Sequence, residues 1–394
     1  MARSLIVQKY GGSSLAKPEQ ITAVAKKVAD LHREGHAVLL VVSAMGKTTD
    51  QLVELAYKVS PTPNRRELDM LLTTGERVSM SLMSMALNDL GVHAISFTGS
   101  QAGVFTDDLH SNARIVDLKP TRVEAELAAG GVVVLAGFQG VSPKTKEITT
   151  LGRGGSDTTA VAMAAHFKAE RCEIRKDVDG VHSADPNVVK ETKHLARLHY
   201  DALLDMTYWG AKVLHYRSVE LAKILDIPMM IALAHGDGRN TVIDGEAEMF
   251  EQAKIISVNS HKDARWLNVK AKDYASAFSA LSNELKKNGL PLPQILDSGK
   301  TGDQFSFLAT APLETLNAIA QMCKTTTTLI CANETLSTVT ATCHGGFASP
   351  LPQEIAEKLA QAGVSVHKMI FGAMSITAVV DSNQRDLALR SIHP

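Results

Sequence analysis

The residues best suited to chemistry lie in one glycine-rich segment, Gly152 to Asp157. Its glycines let the backbone approach a ligand, and the N–H groups at the start of a following helix form an anion site. Arg153 offers a guanidinium fork to a carboxylate or phosphate, while Asp157 offers a carboxylate to a metal ion or an ammonium group. A purely structural turn has no use for that charge pair, so the segment predicts a ligand-binding loop.

Two further loops carry polar residues where predicted strands end. Lys9 precedes the pair Gly11-Gly12, which favours a cation reaching a phosphate over a lysine that is only solvated. Gly46-Lys47-Thr48 resembles the end of a P-loop, but Val41 stands where that motif needs a glycine. What remains is a hydroxyl-rich turn, suited to binding a small polar substrate or phosphate or to capping the next helix.

Carboxylates and a second lysine complete the set. Glu76 opens a predicted helix, a position that electrostatics favours even without a function. Asp177, Asp179 and Asp185 each lie in an ordinary turn, but together they are enough to hold Mg²⁺ carrying a nucleotide. Lys212 offers a further cation for phosphate.

Alternating strand and helix patterns position these loops through the first two-thirds of the chain. The rhythm predicts a mainly parallel sheet between helices, with ligands at the carboxyl ends of its strands, where the glycine loops fall. Helices are predicted over Pro18–Gly35 and Thr158–Lys168. The predicted strands are Ser4–Gln8, Ala37–Val42, Val92–Phe97, Val132–Ala136, Cys172–Ile174 and Pro228–Leu233.

The pattern changes after about Gly245. Two segments of similar length share a strand–helix–strand–strand order, which is typical of small α+β ligand-sensing modules. The predicted helices and the strands after them are Ala275–Asn288, Leu290–Leu296 and Gln304–Ala309 in the first segment, and Glu354–Ala362, Val364–Ile370 and Ala373–Val380 in the second.

Composition excludes several classes of protein. The 394 residues exceed what one core usually accommodates, so two or three domains are expected. A net charge of −1 offers no basic excess for nucleic acid, and no apolar run reaches the length of a membrane span. An early strand leaves no room for a signal peptide, so a cytoplasmic location is expected. The four cysteines form no CxxC pair, which predicts free thiols and no zinc site.

In their order along the chain, these motifs resemble those of the aspartokinases, in the amino-acid kinase family. The resemblance implies a three-layer αβα sandwich with a mainly parallel sheet over residues 1–250, followed by two ACT-like α+β domains over 251–327 and 328–394. It also implies transfer of phosphate from Mg-ATP to the side-chain carboxylate of L-aspartate, the first step toward lysine, threonine and methionine. The motifs are KYGGSS (Lys9–Ser14), SAMGKTTD (Ser43–Asp50), LLTTGERVS (Leu71–Ser79), FTGSQAG (Phe97–Gly103), AGFQGV (Ala136–Val141), TTLGRGGSDTTAVA (Thr149–Ala162), DVDGV (Asp177–Val181) and GAKVLH (Gly210–His215).

The resemblance assigns roles to the residues at these motifs. Lys9 and Asp157 are the implied catalytic pair, Lys9 neutralising the phosphoryl group in flight and Asp157 organising the cations. No residue is expected to bind a metal directly, since ATP carries the Mg²⁺. The residues implied to bind aspartate are Thr48, Glu76, Arg153, Gly154, Gly155 and Ser156. Those implied on the nucleotide side are Lys9, Tyr10, Gly11, Gly12, Ser43, Ser156, Lys176, Asp177, His182, Asp185, Asn187 and Lys212.

The chain departs from the family pattern on the nucleotide side. Lys176 replaces a Ser or Thr, His182 a Tyr, and Asn187 an Arg. Losing that arginine removes a charge-assisted contact of about 1.5–3 kcal/mol, and we hypothesise that Lys176 restores the charge. The acidic-x-x-Pro-Gly turn of ACT domains is absent from Val269–Tyr274, which argues against feedback by a lysine or threonine effector and favours a role in homodimerisation.

Two alternatives stay open. A kinase for another small acid, such as glutamate, would use the same loops, because Arg153 and Glu76 recognise any α-amino acid. A non-catalytic amino-acid sensor with a decayed nucleotide site is the other, although Lys9, Asp157 and Lys212 are all present.

Overall fold

The computed structural model describes residues 3–246, 253–326, 329–332, 334–344 and 349–394. They form two compact units whose segments alternate along the chain. The first unit contains Met1–Val181, His194–Leu204 and Lys212–Ala247, and the second contains His182–Lys193, Asp205–Ala211 and Glu248–Pro394. Two short segments inside the predicted first domain therefore group with the second unit, while the predicted boundaries at 250 and 327 stay predictions.

Strands and helices alternate from residue 3 to residue 246. The strands are β1 (Leu5–Tyr10), β2 (Ala37–Val42), β3 (Ala94–Phe97), β4 (Val104–Thr106), β5 (Ile115–Leu118), β6 (Val132–Ala136), β7 (Gln139–Val141), β8 (Ile148–Thr150), β9 (Arg171–Lys176), β10 (Val181–His182), β11 (His194–Leu195), β12 (Arg197–His199), β13 (Met229–Leu233) and β14 (Asn240–Asp244). The helices are α1 (Pro18–Arg33), α2 (Thr48–Val59), α3 (Arg65–Leu72), α4 (Thr74–Asp89), α5 (Thr121–Ala128), α6 (Gly155–His166), α7 (Tyr200–Tyr208) and α8 (Tyr216–Ile224).

An eight-stranded sheet organises the first unit, in the order β12-β14-β13-β9-β1-β2-β6-β3. Every recorded pairing in it is parallel except that of β13 with β14. The central strands β2 and β6 are apolar throughout, as expected when both faces of a sheet are covered. The predicted α/β fold with a mainly parallel sheet is confirmed, and all six strands predicted for it are present, with ends that shift by one or two residues.

Side-chain alternation decides which layer each sheet residue meets. Tyr10, Val38 and Leu40 point into a core shared with α1 and α4. Lys9 lies on the opposite face, where α6 packs against β1. Lys9 and Tyr10 are neighbours in the sequence but lie on opposite faces of the sheet. Lys9, and not Tyr10, therefore points toward the glycine-rich loop.

Helix α6 begins at Gly155, three residues before the predicted start. The reason is Gly154, whose φ of +77° is a left-handed conformation that glycine adopts without strain. It ends the loop abruptly and sets the next residue into the helix. Ser156 and Asp157 therefore lie in the first turn of α6 rather than in a loop.

A four-stranded sheet in the order β5-β4-β7-β8 also belongs to the first unit. The sequence patterns predicted none of its strands, because each is only three or four residues long. Strand β8 ends at Thr150, directly before the glycine-rich segment, so this small sheet delivers that segment to its place.

The second unit is an antiparallel sheet with helices. Its elements are β15 (Lys254–Lys270), α9 (Tyr274–Lys287), β16 (Gln294–Thr301), β17 (Gln304–Thr310), α10 (Leu313–Cys323), β18 (Leu329–Cys331), β19 (Leu336–His344), α11 (Leu351–Gln361), β20 (Val366–Phe371), β21 (Ser375–Asp381) and α12 (Arg385–Ile392). The sheet order is β16-β17-β15-β19-β21-β20, and β18 also pairs with β15. The predicted helix–strand–strand order is present twice, although the strand predicted from Leu290 begins only at Gln294.

Two hydrophobic clusters divide this unit. One packs α9 and α10 against Leu267 and Val269 of β15. The other packs α11 and α12 against Val258 of the same strand. The long strand β15 thus contributes to both clusters. Its second half packs with α9 and α10, and its first half packs with α11 and α12.

Trp209 explains why Asp205–Ala211 groups with the second unit. Its indole packs in a cluster with Leu296, Leu308 and Val379, and its Nε1 donates to the hydroxyl of Ser375 at 3.1 Å. Each helix within the described ranges is too short or too polar to cross a bilayer.

Candidate active site

A buried ion pair lies at the carboxyl edge of the central strands. The Nζ of Lys9, near the end of β1, is 2.6 Å from Oδ1 of Asp157 in the first turn of α6, and the two side chains are 8% and 7% exposed. Lys9 pairs in register with Val41 and Ile174, so it stands mid-sheet. The two residues that sequence analysis singled out as a pair, 148 positions apart, are in contact.

A second lysine lies close to this pair. Lys176 ends β9, the strand beside β1, and its Nζ donates to the carbonyl of Val213 at 2.6 Å. Burial lowers the pKa of Lys176, with the Lys9 charge adding to that effect and Asp157 opposing it. The two cations therefore lie close to the Asp157 carboxylate, with the exposed Asp177 also acting on Lys176, and both lysines are suited to facing a phosphate.

Glycines bring the first loops together. Gly12 accepts a hydrogen bond from the N–H of Gly46 at 2.9 Å, and a Cβ on Gly12 would lie 2.6 Å from the carbonyl oxygen of Ala44. Gly75 meets Ala44 in the same way, its missing Cβ falling 2.8 Å from the alanine Cβ. The loops after β1 and β2 and the start of α4 thus pack backbone against backbone.

Glu76 is buried where these loops meet. Its Oε1 accepts from the N–H of Ala44 at 3.2 Å, while its Oε2 is buried with no hydrogen-bond partner among the described residues. Burial raises the pKa of Glu76 to about 7, against the lowering effect of its backbone hydrogen bonds. A buried carboxyl group with one unused oxygen is suited to an ammonium group.

Thr48 and Arg153 differ in whether their polar groups already make hydrogen bonds within the protein. The Thr48 hydroxyl donates to the carbonyl of Met45 at 2.6 Å, which leaves its lone pairs for a ligand. Arg153 is exposed, and within the described ranges its guanidinium has neither a hydrogen bond nor an ion pair. An arginine that protein groups leave unused beside a glycine turn is suited to binding an anion.

The glycine-rich loop is tightly packed from behind. A Cβ on Gly154 would overlap the side chain of His215, and a Cβ on Gly137 would lie 2.8 Å from that of Ser156. Burial lowers the pKa of His215, which favours its neutral form behind the loop. The N–H groups of the first turn of α6 consequently face a fixed direction.

Asp69 supports the loop on one side, a role that no sequence pattern indicated. It is fully buried in α3 and accepts hydrogen bonds from the hydroxyl of Thr150 at 2.6 Å, from the N–H of Ser111 and from the ring of His110. Because Thr150 ends β8, this carboxylate fixes the strand that leads into the glycine-rich loop.

Arg217 supports the loop on the other side. It donates to the carbonyl of Leu151 at 2.6 Å, to that of Ala113 at 2.9 Å and to the side chain of Asn112 at 3.1 Å. It lies two residues beyond the GAKVLH motif, so only its proximity to that motif hinted at a role.

The sequence of this chain is similar to those of known proteins. The amino acid kinase family model matches residues 4–233. The aspartokinase of Mycolicibacterium smegmatis is 38% identical over 403 residues, covering 99% of this chain and 95% of that protein. The chain belongs to the aspartokinases of the amino acid kinase family.

Other members differ in how much of the chain they match. The aspartokinase of Mycobacterium tuberculosis is 53% identical over 242 residues. These residues make up 61% of this chain and 58% of that protein. Escherichia coli aspartokinase III, in complex with aspartate and ADP, shares the fold with a TM-score of 0.80 and 19% identity over 99% of both chains. The same enzyme with lysine and aspartate gives a TM-score of 0.71 at 19% identity, over 99% of this chain and 98% of that one.

The remaining predicted residues separate into two sets. Ser43, Gly11, Asp177 and Lys212 belong to the first unit, the last two exposed, whereas His182, Asp185 and Asn187 belong to the second unit. There Asp185 Oδ1 accepts from the backbone and the side chain of Asn187, at 2.9 and 3.0 Å. The nucleotide-binding roles of all seven stay predictions.

The role predicted for Tyr10 needs a correction. Its ring is 1% exposed in the core shared with α1 and α4, and burial raises its pKa to about 12. The side chain points away from Lys9, and the carbonyl of Tyr10 accepts from the N–H of Ser43 at 3.2 Å, so the ring is not available to a nucleotide.

Proposed function

We propose that this chain transfers the γ-phosphoryl group of Mg-ATP to the side-chain carboxylate of L-aspartate, giving 4-phospho-L-aspartate. The observation that carries the proposal is the buried Lys9–Asp157 contact of 2.6 Å at the end of the glycine-rich loop. A buried lysine there neutralises charge on a phosphoryl group, and the other loops supply groups for an amino acid.

Lys9 and Lys176 act on the transferring group. Phosphoryl transfer needs little covalent help, so positioning and charge neutralisation make up most of the catalysis. Lys9 is held by Asp157 in a site with little water, where its field on the phosphoryl oxygens is strong. The buried carboxylate of Asp157 would organise the cations of the site, Lys9 and the Mg²⁺ that ATP carries, without being a direct metal ligand.

Three groups hold the aspartate. The carboxylate of Glu76 accepts the ammonium group, and the free guanidinium of Arg153 binds a carboxylate in a bidentate manner. The Thr48 hydroxyl, which donates to the carbonyl of Met45, accepts one further hydrogen bond from the substrate. Gly154 and Ser156 supply backbone N–H groups at the start of α6, next to the catalytic pair, while the N–H of Gly155 donates to the carbonyl of Gly152 at 3.0 Å and helps to hold the turn.

An acceptor panel tests the function. ATP consumption is measured with L-aspartate, with L-glutamate and without an acceptor, and 4-phosphoaspartate is trapped as its hydroxamate. Turnover with aspartate alone is expected. Turnover with glutamate would move the assignment to another acid kinase, and binding without any turnover would favour the amino-acid sensor.

The remaining proposals concern assembly and regulation. A homodimer through residues 251–394 and a cytoplasmic location, where ATP and aspartate are supplied, go with this activity. The second unit resembles the sensing modules of a family in which Escherichia coli aspartokinase III binds lysine. In this chain Asp273 caps α9 by accepting from the N–H of Ser276 at 2.8 Å, where the family has Pro-Gly.

A further inference from the structure

The four residues of the first glycine loop, Gly11–Ser14, all direct their carbonyl groups to donors of the protein. The carbonyl of the first residue accepts from the N–H of the fourth at 3.1 Å, and that of Gly12 accepts from the N–H of Gly46 at 2.9 Å. The carbonyl of Ser13 accepts from Nε2 of Gln20 at 3.3 Å, and that of the fourth residue accepts from a histidine ring. Because a carbonyl oxygen repels a phosphate, a loop whose carbonyl groups are all paired is ready to receive an anion.

His235 supplies that ring from a distant part of the chain. It lies two residues beyond the end of β13, and its Nε2 is 2.9 Å from the carbonyl oxygen of Ser14, 221 positions away. A carbonyl group accepts but cannot donate, so Nε2 carries the hydrogen in this contact. The residue before it, Ala234, donates its N–H to the carbonyl of Lys176 at 2.6 Å. Since β13, β9 and β1 are neighbours in the sheet, the end of β13 is tied both to the end of β9 and to the loop after β1.

The contact matters because the second half of the loop is buried. Ser14 is 2% exposed, and Leu15 after it is fully buried. Without His235 the Ser14 carbonyl would lose this donor, and an unpaired buried carbonyl group costs free energy. The Ser14 peptide would then rotate toward another donor. This rotation would displace Gly11, where an added Cβ would lie 3.6 Å from the Nζ of Lys9.

We propose that His235 is a positioning residue for the nucleotide, holding the first glycine loop in the shape that keeps its carbonyl oxygens turned away from the phosphates. This inference rests on the proposed function, which gives Lys9, Gly11 and Gly12 to the nucleotide side. His235 acts through the Ser14 carbonyl and not by contact with the nucleotide. Its loss should therefore weaken nucleotide binding and leave the binding of aspartate, which other loops hold, unchanged.

The experiment compares three substitutions of His235 in the full-length protein. His235→Leu removes the donor, and His235→Asn keeps an amide that is too short to reach Ser14. His235→Gln brings an amide nitrogen close to the position of the ring Nε2. The dissociation constant of Mg-ADP is measured by isothermal titration calorimetry, and the KM for ATP and for aspartate by steady-state kinetics.

The expected results separate the donor from the packing of the ring. In His235→Leu and His235→Asn the Kd of Mg-ADP and the KM for ATP should both rise about tenfold, which corresponds to the loss of one hydrogen bond. The KM for aspartate should not change. In His235→Gln both nucleotide constants should stay within about twofold of those of the unaltered protein, because the donor is kept.

His32→Leu is the matched control. His32 is also half-buried in the first unit, and its Nδ1 lies 3.2 Å from the carbonyl oxygen of His36. It belongs to the last turn of α1, at the end of that helix away from the first glycine loop. This variant should lose stability in thermal unfolding but keep the nucleotide constants of the unaltered protein.

Two outcomes would overturn the proposal. One is an unchanged Kd of Mg-ADP in His235→Leu and His235→Asn. The other is a His235→Gln variant that binds Mg-ADP as weakly as His235→Leu, because packing of the ring and not the donor would then be at work. The Kd does not depend on turnover, so a protein that binds Mg-ADP but phosphorylates no acceptor would contradict the proposed function while the comparison of the His235 variants still decides this inference.

Discussion

At the scale of single residues, the site is a balance of buried charges. Lys9 and Asp157 each reduce the cost of burying the other, and Lys176 adds a second cation close to them. Such a set is stable without a ligand and gains further when phosphate arrives. Changes that keep shape but alter charge therefore test it most directly.

Asp157→Asn should lower kcat by at least about a thousandfold, because Lys9 loses the carboxylate that orients it and the site loses the negative charge facing the cations. It should also lower the free energy of unfolding by roughly 3 kcal/mol, since breaking a buried pair leaves a lone charge. Steady-state kinetics and urea denaturation measure the two effects. Asp237→Asn, at an exposed position of the same unit, should change neither; an active Asp157→Asn variant would refute the catalytic assignment.

Lys176→Thr restores the residue type common in the family and removes a half-buried cation. We expect the KM for ATP to rise about tenfold, since the net positive charge facing the phosphates is lost. Lys144→Thr is the control, because that side chain is 83% exposed. An unchanged KM for ATP in Lys176→Thr would show that Lys176 does not replace the missing arginine.

Glu76 gives a pH dependence of defined sign. Its pKa is raised from 4.5 to about 7 by burial, so the folded protein holds a proton that the unfolded chain releases between those values. This contribution to stability is therefore lost as pH rises from about 4.5 to about 7. Glu76→Gln should be more stable than the unaltered protein at pH 8, by roughly 2–3 kcal/mol, while Glu54→Gln, which is exposed, should not.

The same group controls aspartate binding. Protonated Glu76 has no charge for an ammonium group, so the KM for aspartate should rise as pH falls below about 7. In Glu76→Gln the KM should be high and nearly independent of pH between 6 and 8. A KM that keeps its pH dependence in this variant would separate Glu76 from the amino group.

At the scale of elements, the glycine-rich loop depends on supports far away in the sequence. Asp69 holds Thr150 and Arg217 holds Leu151, the two residues before the loop, and His215 packs behind Gly154. Each contact acts on backbone or on a buried side chain. The loop is therefore preorganised, and a small displacement of it should lower the rate of turnover.

Gly154→Ala tests that packing. The new Cβ would overlap His215 and would occupy a left-handed backbone, at φ +77°. Gly236→Ala is a matched control, with φ +75° and no atom within 4 Å of the added Cβ. We expect a loss of about 1 kcal/mol in the control, from backbone strain alone, and a larger loss together with lower kcat/KM in Gly154→Ala. If thermal unfolding shows the same loss of stability in both variants, the overlap with His215 is relieved without a cost in free energy.

At the scale of the whole molecule, the two units interleave along the chain, and Asp205–Ala211 belongs to the unit opposite to that of Lys212. In the second unit, β15 runs through both modules, so their two cores share one strand. The modules are therefore unsuited to folding one at a time.

A thermal-shift series tests regulation at this scale. An amino acid that binds the native state raises the apparent Tm in a concentration-dependent way. Because Asp273 caps α9 where the family has Pro-Gly, we expect lysine, threonine and methionine to give no shift, and aspartate with ATP to give one. A shift with lysine or threonine would establish an effector site in spite of the altered turn.

The sequence by itself determined the parts that depend on local chemistry. Continuous apolar runs predicted β2 and β6, and Pro18 predicted the start of α1. Residue types in and beside the glycine-rich loops predicted Lys9 and Asp157 as a catalytic pair and Glu76 as a substrate-binding residue, and these roles stay predictions. These follow from backbone preferences and residue types within a few positions, which is why they could be predicted together with the fold.

Only the tertiary structure decided which distant residues support the site. Asp69 is an ordinary helical aspartate until the fold places Thr150 and Ser111 around it, and Tyr10 differs from Lys9 only by the face of β1 on which it lies. The grouping of Trp209 with the second unit depends on packing against strands more than 80 residues away. Such contacts arise from closure of the chain on itself, and no local pattern of residues encodes them.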